Sequence, residues 1–268
     1  MSGKREERTN GWDRWRIYGE QVFAIVSADL KKLKHDPYEL VYRMVQPVIW
    51  ILIFGQAMAQ TLSTATLVYL DYMSPGILAQ SILLVAIFYG IALIWERDLG
   101  ILHKILVTPA PRFLIILGRS FAAGIRGLAQ VAVVYLLSFI LGIDLRLEPA
   151  ALLGVICLAL LLAATFSTFS LVVACLVKKR ERFMGIGQTI IMPLFFASNA
   201  LYPIDRMPEW IRILSLCNPL TYLVDALRTL MIQGQASHFG LVLDFSIGIG
   251  VYIVLAALAT RLYPKIIY

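Results

Sequence analysis

The sequence predicts an all-α membrane protein: six transmembrane helices, an N-terminal interfacial helix, and an outer re-entrant helical hairpin between spans five and six. Three observations predict it. Of 268 residues, 59% are hydrophobic and only 15% charged, where a soluble domain runs nearer about a quarter charged. Six apolar stretches are each long enough to cross a ~30 Å hydrocarbon core. The basic residues fall on alternate connections between those stretches. The mean hydropathy of +0.77 excludes a water-soluble enzyme, a disordered chain and a nucleic-acid-binding domain.

Residues 1–40 form the most charged stretch. Trp12, Trp15, Tyr18, Val22, Ile25, Val26, Leu30 and Leu33 recur at near-helical spacing, with Arg14, Arg16, Lys31, Lys32 and Lys34 between them. A helix of this pattern lies in the membrane surface, aromatics at headgroup level and basic residues toward anionic lipid. A soluble cap packed on other loops is the alternative. No apolar h-region follows the first basic residues, so the segment does not read as a signal peptide.

Residues 41–268 read as one six-span domain. The first span covers residues 41–61, with Pro47 in its first turns, where a lost hydrogen bond matters least. The second covers 75–95 and opens on Pro75. The third covers 113–141, the fourth 150–177, the fifth 183–201 and the sixth 241–262. Of the 24 Lys and Arg residues, eighteen fall on one side: the N-terminus through Arg43, the loop 96–112, the residues 178–182 and the C-terminus. Four fall on the other: Arg146, Arg206, Arg212 and Arg228. The positive-inside rule then places both termini in the cytoplasm of a multi-pass plasma (inner) membrane protein.

Several chemistries lack their residues. There is no G-x-x-x-x-G-K-[ST] phosphate loop, no H-E-x-x-H, no C-x-x-C and no G-x-S-x-G. His35, His103 and His238 are scattered over loops, so no metal site is expected. Cys157 and Cys175 lie eighteen residues apart on one span, ~27 Å by helical rise, so they cannot bridge to each other and are expected to be buried free thiols. Span centres hold almost no Asp or Glu, which a proton- or sodium-coupled carrier needs. Uphill transport by this chain would draw energy from another subunit.

Two non-spanning segments carry the specific signals. In the loop 96–112, Leu99, Leu102, Ile105 and Leu106 make a short apolar stripe that stops at Pro109. Such a helix docks in a groove of another protein or lies along the membrane as a plain connector. After span five, residues 203–234 are not a polar loop. A short amphipathic helix starts at Pro208. Asn218 then reads as an N-cap with Pro219 at N1, opening a helix over 220–232 that Gly234 ends. Asp225 and Arg228 are three apart and can pair across one turn. At ~13 residues this helix is too short to cross, so the pair is expected to form a re-entrant or outer-leaflet hairpin.

Glu96-Arg97 with Gly100, then Leu106 and Thr108-Pro109, resembles the E-R-x-x-G-x-x-x-x-x-L-x-T-P pattern of ABC-2 type transporter permeases. Asn218-Pro219-Leu220-Thr221-Tyr222-Leu223-Val224-Asp225-Ala226-Leu227-Arg228 is similar to that family's N-P-L-T-Y-x-V-D-A-L-R string. Leu201-Tyr202-Pro203 ahead of Met207-Pro208 and Trp210 matches its external segment. Within the family the chain looks closer to the daunorubicin-resistance and nodulation-type exporters than to the capsule and O-antigen permeases.

The resemblance implies an efflux transporter of two permeases, as a homodimer or a pseudo-symmetric heterodimer, driven by two copies of a separate ABC ATPase. It implies a permease that is not itself an enzyme and binds no cofactor, with ATP and magnesium on the ATPase. Glu96, Arg97, Gly100, Leu102, Leu106, Thr108 and Pro109 would form the coupling helix, and Asn218, Pro219, Tyr222, Asp225 and Arg228 the outer hairpin motif. The path would run along spans one, two and five, past Trp50, Phe54, Tyr89, Phe195 and Phe196; each of these aromatics can equally be packed or lipid-facing. Membrane lipid is a partner and nucleic acid is not. The residues leave two alternatives: a polytopic membrane enzyme acting on lipid, using Asp205, Glu209, Asp225 and His238, or an ATP-independent channel or carrier.

Two further charges lie inside the third span. Arg119 is near enough to the cytoplasmic interface to snorkel. Arg126 is ~10 Å deeper and should face protein or a wet cavity, as part of a structural pair or as a contact for an anionic group. Gly118, Ala122, Ala123 and Gly127 on the same helix predict close packing.

Overall fold

The computed structural model describes residues 38–62, 68–100, 111–177 and 179–266, with single helical positions between Gly19 and His35. Helices make up nearly all of it, and no β-strand occurs among the described residues. Apart from those positions and residues 38–40, the expected interfacial helix over 1–40 lies outside the described residues, as do the coupling residues Leu102, Leu106, Thr108 and Pro109.

The first apolar stretch is helical throughout but not uniformly. It runs as α1 (Tyr38–Ile49), a π-helical segment (Trp50–Gly55) and α2 (Gln56–Leu62). The widened turns begin three residues after Pro47, whose ring removes an N–H donor from the ladder. α3 (Tyr69–Asp98), α4 (Arg112–Ile140), α5 (Pro149–Leu176) and α9 (Leu241–Leu262) are long and apolar enough to cross a membrane. α6 (Arg180–Phe196) has 17 residues, a rise of about 26 Å. α7 (Glu209–Cys217) and α8 (Pro219–Met231) are short.

α3 is the central pillar. In its most apolar window 78% of residues are buried, against 17% for α9 at the edge. It packs on α4, α5, α6 and α8, and the main apolar core runs along it through Ile77, Leu78, Ile82, Leu83 and Ile87. Two glycines let neighbours touch its backbone. A Cβ on Gly76 would lie 2.2 Å from the Ala200 carbonyl oxygen, and one on Gly90 would lie 2.1 Å from Ser170 Oγ. On α4, a Cβ on Gly127 would meet Ile82 of α3 at 3.3 Å, and Ala122 and Ala123 are buried against Tyr89. The small-residue stripe of α4 therefore packs as its spacing predicts.

The fifth apolar stretch differs from its expected bounds. Its helix stops at Phe196 rather than near residue 201, because Ser198 folds its hydroxyl back onto the Phe195 carbonyl (2.7 Å) and accepts from Ala200 N–H (3.3 Å). Residues 197–202 turn instead of continuing. At this same end the α4–α5 connection meets the end of α8: Arg146 N–H donates to Met231 O (2.8 Å) and Gln233 N–H to Asp144 O (2.9 Å). This is the hairpin end of the bundle. The opposite end, where α3 finishes and α4 and α6 begin, is the loop end.

Candidate functional site

At the hairpin end the eleven-residue string 218–228 becomes a set of anchors. Asn218 has extended backbone and caps α8, its Oδ1 accepting from Leu220 N–H at 3.0 Å. Pro219 follows at N1, where its missing donor costs nothing. The same Asn218 side chain donates through Nδ2 to Leu194 O (2.7 Å), tying α8 to the last turn of α6. The Thr221 hydroxyl meets Ser215 Oγ at 3.1 Å, and the Tyr222 hydroxyl donates to Leu216 O (2.8 Å), so both clasp α7. Leu220, Leu223, Val224 and Leu227 are fully buried and supply the apolar face that holds the helix down.

Asp225 and Arg228 do pair, at 3.8 Å, but their shorter contacts lie elsewhere. Arg228 donates from Nη2 to Asn199 O (2.6 Å) and from Nε to Tyr72 O (3.3 Å). Its guanidinium stacks on the Tyr72 ring, 3.7 Å from the centroid. Tyr72 in turn donates its hydroxyl to Asn199 O (2.9 Å). Burial holds the Arg228 guanidinium below its ordinary value, with Tyr72 and Asp225 acting in the opposite direction. Asp225 Oδ2 accepts from His238 N–H (2.7 Å) and Phe239 N–H (3.3 Å), which folds the following loop over α8. The Ser237 hydroxyl lies 2.9 Å from both Asp225 Oδ2 and Asp244 Oδ2, linking that loop to α9.

A polar cavity of about 150 Å³ remains beside this network, lined by Tyr72, Asn199, Asp205, Asp225, Arg228 and His238 among others. It gathers three of the four residues a lipid-acting enzyme would need and leaves Glu209 outside. The Asp225 carboxylate there is already engaged by backbone N–H groups, and no cluster of metal-ligating residues occurs among the described residues.

At the loop end, Glu96 closes an ion pair with Arg119, side chains 13% and 6% exposed, joining the end of α3 to α4. Tyr263, fully buried, lies beside them. Arg119 is thus a buried structural partner and not a snorkelling side chain. Two residues on, Asp98 holds two guanidiniums. Arg97 donates to Oδ1 from Nε (3.1 Å) and Nη2 (2.8 Å), and Arg180 to Oδ2 from Nε (3.2 Å) and Nη2 (3.0 Å). Arg180 also stacks over Trp95, 4.2 Å from the ring centroid. Gly100 follows with φ +70, a conformation that favours glycine. Arg126 lies over the Tyr89 ring at 5.3 Å, so this charge faces protein as its depth requires.

Four of the five aromatics singled out for the path come together. Trp50 packs edge-on against Phe54 (5.0 Å) and Phe195 (5.9 Å), and Phe195 against Phe196 (5.4 Å). Phe195 is buried and Phe196 is exposed. Tyr89 is separate and buried among Ala122 and Ala123. Tyr72, Asn199, Ser237, Asp244, Asp98 and Arg180 were not flagged by the sequence. One signal was present for Arg119: a charge within a span needs a partner, and Glu96 sits just before the connection leading to Arg119's own helix.

A family profile described as ABC-2 type transporter matches residues 20–232. The ycf38 transport permease of Cyanophora paradoxa is 30% identical over 79% of this chain and 74% of its own length. The daunorubicin resistance ABC transporter permease DrrB1 of Streptomyces coeruleorubidus is 25% identical over 86% and 81%. Nodulation protein J of Rhizobium meliloti is 22% identical over 87% and 86%.

Proposed function

The chain belongs to the ABC-2 type transporter family, and from that premise we propose that it is the permease subunit of an ATP-driven exporter, working as a pair of permeases with two copies of a separate ATPase. It is a multi-pass membrane subunit of an ABC transporter, and this family works with an ABC ATPase. The finer reading adds α1–α2 and α6 to the four long helices as spans one and five. It sets the loop end in the cytoplasm against the ATPase, through Glu96, Arg97, Gly100 and the residues to Pro109. It makes α7–α8 an outer re-entrant hairpin. The placement of the expected external connections after the third and fifth stretches at one end of the bundle supports this orientation, as does the bias of basic residues toward the other.

The observation that carries the reading is the unequal chemistry of the bundle's two exposed faces. On α4, α5 and α9 the exposed side chains away from the helix ends are apolar: Phe121, Leu136, Leu153, Ile156, Ile249, Ile253 and Leu258. The exposed Ser246 turns its hydroxyl back onto Val242 O (2.6 Å). That face suits lipid. On α2 and α6 the exposed set includes Gln56, Gln60 and Gln188, whose amides lose several kcal/mol in hydrocarbon without a partner (about 2–7). A face with Gln188 in the middle of α6 and two more amides on α2 suits a wet path or a second permease, and the Trp50–Phe196 aromatic cluster borders it.

The test is purification of the chain from its native membrane together with whatever binds it. An ATPase subunit is expected to co-purify, with hydrolysis that falls when Gly100 is replaced by valine, which its positive φ disfavours. A chain that binds no ATPase, or that supports steady flux in ATP-depleted membranes, contradicts the reading and favours a channel.

A further inference from the structure

α6 is fastened to the bundle at two places of opposite character. At the hairpin end its last turn and the turn that follows are held by Asn218, Arg228 and Tyr72, through a part-buried bond to the Leu194 carbonyl and two buried bonds to that of Asn199. Along its length it packs chiefly on α3. At the loop end its first residue, Arg180, reaches Asp98, the last residue of α3, with side chains 38% and 35% exposed.

Arg180 has no reason to sit where it does for the helix's own sake. A cation at a helix N-terminus opposes the macrodipole. An ion pair this exposed adds little to stability. What the pair does supply is geometry: a two-nitrogen contact to one carboxylate oxygen, with the guanidinium plane stacked on Trp95 of the same α3 turn. Asp98 stands two residues before Gly100. Any force that displaces the end of α3 therefore reaches the start of α6 through this contact. The largely buried Glu96–Arg119 pair, one residue before Arg97, points the other way, into α4.

We propose that Asp98 and Arg180 are positioning residues that transmit motion from the end of span two to span five, with Trp95 orienting the guanidinium. This rests on the reading of the chain as an ATP-driven permease. The contact is polar and surface-exposed, so it can form and part during a cycle. The hairpin-end bonds come from buried side chains, two of the three being buried throughout, and stay closed, which makes α6 a lever with a fixed far end.

The test uses the assembled permease–ATPase complex in inside-out membrane vesicles, with Cys157 and Cys217 replaced by alanine. A cysteine is placed at Met184, which is exposed one turn into α6. Its reaction rate with a membrane-impermeant maleimide is measured without nucleotide and with ATP trapped. The intact pair is expected to give a rate change of about fivefold or more, the low end of ordinary coupling. Asp98→Asn and Arg180→Gln should each flatten that change while ATP hydrolysis continues. The exchange of Asp98→Arg with Arg180→Asp should bring the change back. A rate change that survives either single substitution, or an exchange that fails to restore it, overturns the proposal. A complex without an ATPase is a different failure: it removes the functional reading itself.

Discussion

The two ends of the bundle solve the same problem, joining α6 to its neighbours, with different materials. The hairpin end uses buried arginine, asparagine and tyrosine side chains as donors aimed at backbone carbonyls. The loop end uses one buried ion pair for α4 and one exposed ion pair for α6. Carbonyls cannot titrate, swing or find water in a buried site, so bonds to them hold one arrangement. An exposed ion pair competes with water and salt on even terms and is worth about 0–1 kcal/mol. The difference teaches that the recognisable string at 218–228 is an architectural clamp, while the parts suited to movement lie at the other end.

The largest way to break this contrast is at Arg228. Arg228→Ala removes one of the two side-chain donors to the Asn199 carbonyl and the side-chain donor to the Tyr72 carbonyl, and leaves Asp225 buried beside no cation. A loss of about 3–5 kcal/mol is expected, read as a large drop in thermal unfolding temperature in detergent. Arg119→Ala should come close, since it takes the Arg119 cation away from Glu96, whose side chain is 13% exposed. Here the contrast can be sharpened: pairing it with Glu96→Gln should recover part of the loss, because the second change removes the charge that Arg119 faced.

Asn218→Ala comes next. It removes an N-cap and the bond to Leu194, and about 1–2 kcal/mol is expected in the same unfolding measurement. Asp98→Asn should be smallest in stability, under about 1 kcal/mol. Its effect belongs instead to the ATP-dependent response of α6. If Asp98→Asn destabilises the protein as strongly as Arg228→Ala, the two ends are alike and the contrast fails.

Much of the architecture could be read from residue order. The third, fourth and sixth apolar stretches became helices close to their expected bounds, because twenty or more apolar residues leave a chain little alternative in lipid; the second starts at Tyr69, six residues before its expected opening at Pro75, which lies inside the helix instead. The early end of α6 escaped because hydropathy averages over Ser198 and Asn199, where one hydroxyl turns the chain. The π-helical turns after Pro47 escaped because a proline in a helix tells where the ladder fails and not how it is repaired. Within the motif, local chemistry was legible: Asn218 as cap, Pro219 at N1, the apolar face of α8. The partners were not. Leu194, Asn199 and Tyr72 lie 24, 29 and 156 residues from the side chains they hold, and only packing brings them together. The pairing of Asp225 with Arg228, inferred from helix spacing, turned out to be the longest contact either residue makes. The same limit hid Arg180, which reads in sequence as one more cytoplasmic basic residue.

The measurement that bears most directly on the fixed-end and moving-end account is a pair of distances in the assembled transporter, with spin labels in one copy and Cys157, Cys175 and Cys217 replaced. One pair joins α6 to α4 at the loop end, through Met184 and Phe113. The other joins them at the hairpin end, through Phe196 and Ile140. All four side chains are exposed. Trapping ATP should shift the Met184–Phe113 distance distribution and leave the Phe196–Ile140 distribution where it was. A shift of equal size at both ends, or a shift confined to the hairpin end, contradicts the account.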